Sequence, residues 1–586
     1  MSLGKLTACP LDCYDGCSIV YKDGKLDADK NHPVTQGFLC SKMNRFLDER
    51  RLDIAYYRGK AISLEKALEI LKEKLKLYEN ENNLFFNGSG NLGKMQNSTK
   101  HFFANFGFVG VEGSLCDGAG DAGIKEGRGA DLLLPISEIK KSEVVIIWGR
   151  NPENSNTHML PFLKDKKLIV IDPRKTKLAE NADMFLQVKP RGDIYLALLM
   201  ARVVYMLQEE DNEFIESKSE NFEDFVELFE TYTINELCKR CGIELEVIYD
   251  ILDMLIGKKV SILVGIGVQK YLIGHYVLRA IDSFAAILGL FGKEGCGVSY
   301  LSDSSFGFCS LWDDFKDKKS VASADFSKYS MVFIQNANPL VSLPNTKRVK
   351  ESISKSQFVV YFGLYKNETS EIADLVIPAV TFLAKNDIKS TYGNEYISLM
   401  PKLREEEGIS EYELSNYLFK SLLNRALKEE KEYIREFLKS NSIEKDGYLI
   451  SKTYLKTPYL EGFYTDNGKF YFLDEFEDDF EDDYLDDEGF YLLSIKHKKA
   501  LNSSFFRDDF LYVPDNLSLS NGDRVEVSSP YGRADFEVRV DKNLRSDTLM
   551  CYAGNRKFNY LSPSMVSLDG ECAVFQEMKV DIKRLL

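Results

Sequence analysis

No stretch of this chain carries 18 consecutive apolar residues, so no segment is able to cross a bilayer as a helix. Neither a secretory h-region nor a twin arginine precedes the first cysteine. Positive charge is in deficit as well: 75 Lys and Arg stand against 91 Asp and Glu, a net charge of -16. That balance excludes non-specific adhesion to nucleic acid, though not small anionic ligands, which respond to local charge. Cysteine, by contrast, is present in number. Eleven of them, without a secretion signal, point to the cytoplasm, where thiols stay reduced and serve metals or chemistry. The 586 residues, 44% apolar and 12% aromatic, have room for several domains with large cores.

Four of the cysteines fall early. "CPLDCYDGC" holds Cys9, Cys13 and Cys17, and Cys40 follows in "GFLCSK". Three ligands on one tight loop and a fourth from a distant turn suit a cubane 4Fe-4S cluster, whose irons each need a thiolate. Zinc more often takes two short cysteine pairs, and a disulfide is disfavoured by the compartment.

The middle of the chain alternates strand and helix. "EVVIIW", "KLIVI", "VSILV", "MVFIQ", "FVVYFG" and "DLVIP" are continuous apolar runs of the kind buried on both faces of a parallel sheet. Helical stretches separate most of them. One is "SLEKALEILKEKLKLY", with Ser63 as its cap and Leu64, Leu68, Leu71 and Leu75 along one face. The fold class is therefore α/β with parallel sheets. From about residue 490 the pattern changes: "DRVEVSSPYGRADFEVRV" alternates about Pro-Tyr-Gly as a β-hairpin does. Residues 474–490, "DEFEDDFEDDYLDDEGF", are intensely acidic and read as a solvated insertion or a docking surface for a basic partner.

The segment from Cys9 to Phe46, with "HPVTQGFLCSK" around Cys40, resembles the N-terminal iron–sulfur segment of the molybdopterin oxidoreductase family, the dimethyl sulfoxide reductase-like enzymes. The resemblance continues through the strands over nearly the whole chain. It implies two interleaved Rossmann-like domains and a C-terminal β-barrel. The implied division is a cluster segment at 1–58, one α/β domain at 59–135 and 300–445, a nested pterin-dinucleotide domain at 136–299, an acidic insertion or linker at 446–489, and the barrel at 490–586. Lys42, two residues after Cys40, matches the lysine that lies between cluster and pterin in the family.

The resemblance also implies bis-molybdopterin guanine dinucleotide as cofactor, with molybdenum or tungsten. Gly149, Arg150 and Asn151 in "WGRNP", and Asn336 and Asn338 in "NANP", end their strands where ligands bind in open parallel sheets. Asp172 and Asp193 match the two family aspartates that bind the guanine nucleotide, although "PRGD" replaces the family's "PGTD". Arg174 and Thr176 are candidates for nucleotide contact, with a salt bridge and a helix cap as the alternatives. Gly265, Gln269 and Arg279 after "VSILV", and Asn502, Ser503 and Asn559 in the tail, match pterin-contacting positions.

Cys116, in "GSLCDGAGDAG", matches the position of the metal's one protein ligand. A thiolate suits a soft, sulfur-bound metal, whereas the plain alternative is a buried free cysteine. Formate dehydrogenases of the family place histidine directly after this ligand. Asp117 stands there instead, either as a proton relay or as a helix cap, which disfavours formate. The expected activity is an oxidoreductase moving two electrons at the metal through Cys116, Asp117 and Lys42, acting on a small molecule with an electron-transfer protein or subunit as partner. A non-redox hydratase or hydroxyltransferase on the same cofactor, and an iron–sulfur subunit without the molybdenum cofactor, are the alternatives.

Overall fold

The computed structural model describes residues 4–89, 92–301, 308–476 and 488–585. The core of the acidic stretch, 477–487, lies outside the described residues. The chain forms two compact units. The first comprises Met1–Glu112, Ser304–Tyr454 and Lys496–Arg507; the second comprises Gly113–Asp303, Leu455–Ile495 and Asp508–Leu586.

In the first unit a six-stranded sheet runs in the order Lys60–Ile62, Ala55–Tyr57, Leu375–Pro378, Phe358–Gly363, Met331–Gln335, Asn83–Asn87. The last four are mutually parallel, and Ala55–Tyr57 joins antiparallel at the edge. Phe85, Phe333, Phe358, Val360, Phe362, Leu375 and Ile377 are all essentially buried and form its core, as continuous apolar strands require. Helix Leu64–Leu77 covers the sheet, and Ser63 Oγ accepts the Lys66 N–H at its start. A three-stranded meander, Lys5–Ala8, Ser18–Lys22 and Lys25–Ala28, carries the cysteine loop between its first two strands.

The second unit holds a five-stranded, all-parallel sheet in the order Met184–Leu186, Lys167–Ile171, Val144–Trp148, Val260–Val264, Gly297–Ser299. The chain winds outward on one side from Val144–Trp148 and returns beside that strand with Val260–Val264. The order therefore reverses between these two strands, and the crevice past their C-terminal ends is the usual ligand position. Six strands close a barrel: Phe490–Ile495, Thr548–Tyr552, Leu511–Val513, Gly532–Val540, Arg524–Ser529, Lys579–Arg584. The hairpin read from "SSPYGR" is one of its corners, with Ser529 opposite Gly532.

Part of 446–489 is structured rather than a bare connector. Tyr448–Ser451 pairs with Ser442–Lys445, and Phe470–Tyr471 pairs with Ser219–Glu220. The cause is the aromatic content: Phe463, Phe470 and Phe472 are buried, and a solvated linker has no use for that apolar surface.

Candidate functional site

The cysteine loop is closed on itself, the Cys9 N–H donating to the Cys17 carbonyl at 2.8 Å. Cys40 is brought to it by the "HPVT" turn. His32 Nδ1 accepts the N–H groups of Val34 and Thr35, both at 3.3 Å, and Thr35 Oγ1 accepts the Ser18 N–H at 2.8 Å. Burial pushes the Cys9 thiol up to about 12, with Lys389 opposing and Cys40 adding to the rise. Cys13 and Cys17 are also raised well above the ordinary thiol range, by burial first, then by Asp15 and neighbouring cysteines. The sulfur of Cys17 lies within electrostatic reach of those of Cys9, Cys13 and Cys40. Three desolvated sulfurs whose ionisation Cys40 further opposes fit a polynuclear metal group, which takes thiolates and supplies the positive charge they lack. Lys42 is 6% exposed, and its Nζ lies 3.4 Å from the Lys498 carbonyl.

A segment that the sequence did not single out holds this loop. Thr391 Oγ1 lies 2.9 Å from the carbonyl oxygens of both Cys13 and Tyr14. Asn394 Nδ2 donates to the Asp15 carbonyl at 2.9 Å, and Tyr392 Oη donates to Asp12 Oδ1 at 2.7 Å. Lys389 Nζ donates to the Leu11 carbonyl at 2.8 Å. Gly393 permits the close approach: a Cβ there would meet the Tyr14 carbonyl at 2.1 Å. Nothing periodic marks "KSTYGN", and its polar residues read as a plain turn.

Elsewhere in the first unit, Asn336 adopts φ +50° at the end of its strand. Asn338 is 5% exposed and fully engaged. Its Nδ2 donates to Glu368 Oε2 (2.9 Å) and Ser503 Oγ (3.3 Å), and its Oδ1 accepts from Thr369 (2.8 Å). Burial works against the Glu368 charge, but Arg507 and Asn338 hold its carboxyl down at about 2. Asn502 accepts from Lys496.

In the second unit Cys116 sits on a stapled turn. Its N–H donates to Ser114 Oγ at 2.9 Å, and its thiol lies 3.1 Å from Asp117 Oδ1, which also accepts from Ser114 Oγ. The Ser114 N–H donates to the Glu571 carbonyl, and the Ala573 N–H donates to the Ser114 carbonyl. Asp117 precedes helix Gly118–Arg128 but makes no capping bond to it. Its carboxylate faces the sulfur instead. Gln269, wholly buried, donates to the Cys116 carbonyl and accepts the Gly120 N–H at 3.0 Å. Its amide thus holds the turn that carries Cys116. Beside the turn a cavity of about 330 Å³ is lined by Ser114, Asp117, Asp121 and Lys125, the last two ion-paired at 2.6 Å.

The remaining predicted positions gather about the parallel sheet. Gly149 (φ +56°) and Gly265 follow the two central strands and face each other so closely that a Cβ on Gly265 would lie 2.0 Å from the Gly149 carbonyl. Asn151 Oδ1 is buried with no hydrogen-bond partner among the described residues, an acceptor that fits a bound polar group. Asp172 Oδ1 accepts the Arg174 N–H at 2.9 Å, and Asp193 Oδ1 accepts from Trp148 Nε1 at 2.7 Å. Arg174 pairs with Asp541 at 2.7 Å, and Thr176 Oγ1 accepts the Ala179 N–H at 3.2 Å, so both make the protein-internal contacts weighed as alternatives. Arg279 pairs with Glu126 at 2.9 Å, and Asn559 Oδ1 accepts from Ser562 at 2.9 Å.

Burial pushes the Asp172 and Asp193 carboxyls up to about 7. A carboxyl whose folded pKa is raised binds more protons folded than unfolded, so stability falls as pH rises from about 4 through 7. At about 1.4 kcal/mol per pH unit for a fully buried group, the ligand-free protein is expected to melt at lower temperature at pH 8 than at pH 5.5. Asp193→Asn, which can still accept from Trp148, is expected to flatten that slope. An unchanged slope in thermal melts of the variant would refute the assignment.

Residues 57–400 match the family described as Molybdopterin oxidoreductase. Among curated proteins the chain is 28% identical to the Probable oxidoreductase YyaE of Bacillus subtilis (strain 168), over 70% of this chain and 67% of that protein. It is 27% identical to an F420-dependent formate dehydrogenase subunit alpha of Methanocaldococcus jannaschii, over 65% of this chain and 64% of the other. Identity to the assimilatory nitrate reductase catalytic subunit of Bacillus subtilis (strain 168) is 23%, over 60% of this chain and 58% of the other. The aligned regions thus span about two thirds or less of these relatives' own lengths. Acetylene hydratase from Pelobacter acetylenicus superposes with a TM-score of 0.74, covering 99% of this chain and all of that one at 15% identity, which is a likeness of fold alone. No described helix is long and apolar enough to cross a membrane. With the family matched across more than half its length, this chain is an enzyme of the molybdopterin oxidoreductase family.

Proposed function

We propose that the enzyme oxidises or reduces a small molecule by two electrons at a molybdenum or tungsten ion, held by Cys116 and two molybdopterin guanine dinucleotides. The same reading gives Cys9, Cys13, Cys17 and Cys40 a 4Fe-4S cluster that exchanges electrons with a partner protein or subunit. One observation carries it: a single thiol, Cys116, is fixed on a stapled turn with a carboxylate 3.1 Å away, in a chain that also holds a closed three-cysteine loop with Cys40 in electrostatic reach. The bound metal and pterins supply the two-electron chemistry.

The chain's own residues divide the remaining work. Ser114 and Gln269 fix the Cys116 turn through its backbone, so the sulfur is pre-positioned rather than recruited. Asp117 Oδ1 is the acceptor nearest the sulfur and would relay the thiol proton away if Cys116 held the metal. Asp172 and Asp193 offer carboxyl oxygens to the N–H groups of a guanine, and Asn151 offers its unpartnered Oδ1. Lys42 places a cation near Cys13. A carboxylate at position 117, where formate dehydrogenases of the family carry histidine, disfavours a small anion such as formate as substrate.

Anaerobically purified protein is expected to contain about four Fe and one Mo or W, and to release about two GMP on acid treatment. Zinc without Mo, W or pterin would overturn the reading. Iron alone, from a host able to make the cofactor, would favour an electron-carrying subunit. Turnover that needs no electron donor or acceptor would favour hydration or hydroxyl transfer.

A further inference from the structure

Lys389 is a charge in an unusual place. It ends strand Asp387–Lys389 and is 1% exposed. Its Nζ donates to the carbonyl oxygens of Leu11 (2.8 Å) and Pro10 (3.5 Å), both inside the cysteine loop. Among the described residues it makes no ion pair. Burial works against its charge, and the groups that favour it are the sulfur of Cys9, the Asp12 carboxylate and the sulfurs of Cys13 and Cys17. Asp12 is already engaged, accepting from Tyr392 at 2.7 Å and from Ser89 at 2.9 Å.

An ammonium taken out of water is costly, and two carbonyl contacts return only part of that cost. A neutral amide could make the bond to Leu11 equally well, so the hydrogen bond does not account for the charge. A negatively charged group inside the loop does. Lys42 acts on Cys13, while Lys389 reaches the three thiols of the loop from within the first unit's core.

We propose that Lys389 sets the reduction potential of the iron–sulfur cluster, its buried charge favouring the form that carries the extra electron. The inference rests on the cluster assignment above. One electron passes to the cluster from a low-potential carrier of the iron–sulfur or flavin class, which is oxidised by one electron. No bond forms or breaks, Lys389 keeps its proton, and the loop becomes more negative by one charge. Attraction to a buried cation strengthens with that charge and is little screened there.

The test is a redox titration of the purified holoenzyme with dithionite, followed by electron paramagnetic resonance. Lys389→Gln, which keeps a donor for Leu11 without the charge, is expected to shift the equilibrium at least tenfold against the reduced cluster, 59 mV for a one-electron couple. Lys389→Arg, and Thr391→Val as an uncharged change in the same clasp, are expected to stay within about threefold of the wild type. Lys389→Gln with full iron content and the wild-type potential would overturn the proposal. So would Lys389→Arg moving as far as Lys389→Gln. If Lys389→Gln loses its iron, Lys389→Arg decides alone: wild-type potential supports the charge, a tenfold shift refutes it. A wild-type protein with no iron signal would overturn the cluster assignment itself, and is distinguished because no variant then carries iron.

Discussion

Replacing Cys116 with alanine is expected to lower turnover by more than about 100-fold, the upper end of what even outer contacts of a metal site cost. Iron content is expected to stay unchanged. The expectation follows from how the turn is built. The Cys116 backbone is held by Ser114 through its N–H and by Gln269 through its carbonyl, and neither contact uses the sulfur. Alanine therefore keeps the turn and removes only the sulfur. Cys116→Ser supplies an oxygen, which family members also use as a ligand, and is expected to retain more metal and activity than Cys116→Ala. Metal analysis and steady-state rates on the two variants decide the matter. Full activity in Cys116→Ala would remove Cys116 from the metal site and would favour the electron-carrying subunit.

The architecture was legible where residue type alone constrains it. Six apolar runs became strands of one all-parallel and one mainly parallel sheet, because strands buried on both faces favour apolar side chains. "SSPYGR" became a barrel corner because its alternation and turn residues point one way. The four early cysteines could be grouped because three share one short loop. Contacts made across long separations in sequence were not legible. Thr391, Tyr392 and Asn394 meet the cysteine loop from nearly 380 residues away. Gln269 was readable as a polar residue near a strand end, but its bond to Cys116 depends on where two distant segments meet. The glycines of "GAGDAG" carry no signal of a partner in the sequence. Their use appears only in the packing, where a Cβ on Gly123 would lie 2.1 Å from the His275 carbonyl on the neighbouring helix.

That same helix, Gly118–Arg128, begins just after Cys116 and is anchored at its far end by Arg128, which leads to the second large effect. Arg128 Nε pairs with Asp282 at 2.8 Å, the two side chains 0% and 1% exposed. The guanidinium also lies against the rings of Phe291 and Tyr459. Tyr459 continues the anchor, donating to the Ala130 carbonyl at 2.6 Å and accepting the Leu132 N–H at 3.1 Å. Removing one partner of a buried pair leaves the other as an uncompensated charge, at a cost of about 3–5 kcal/mol. Arg128→Met is therefore expected to lower the urea midpoint by that equivalent, whereas Arg128→Met with Asp282→Leu is expected to recover most of it, since an apolar replacement of the whole pair is often neutral. Equal losses in the single and double variants would show that shape at this point, rather than charge, holds the helix. Because Cys116 adjoins the helix, the single variant is also expected to lose molybdenum or tungsten at a lower temperature than wild type while keeping its iron. Simultaneous loss of both metals would mean that the anchor supports the whole chain rather than the Cys116 turn.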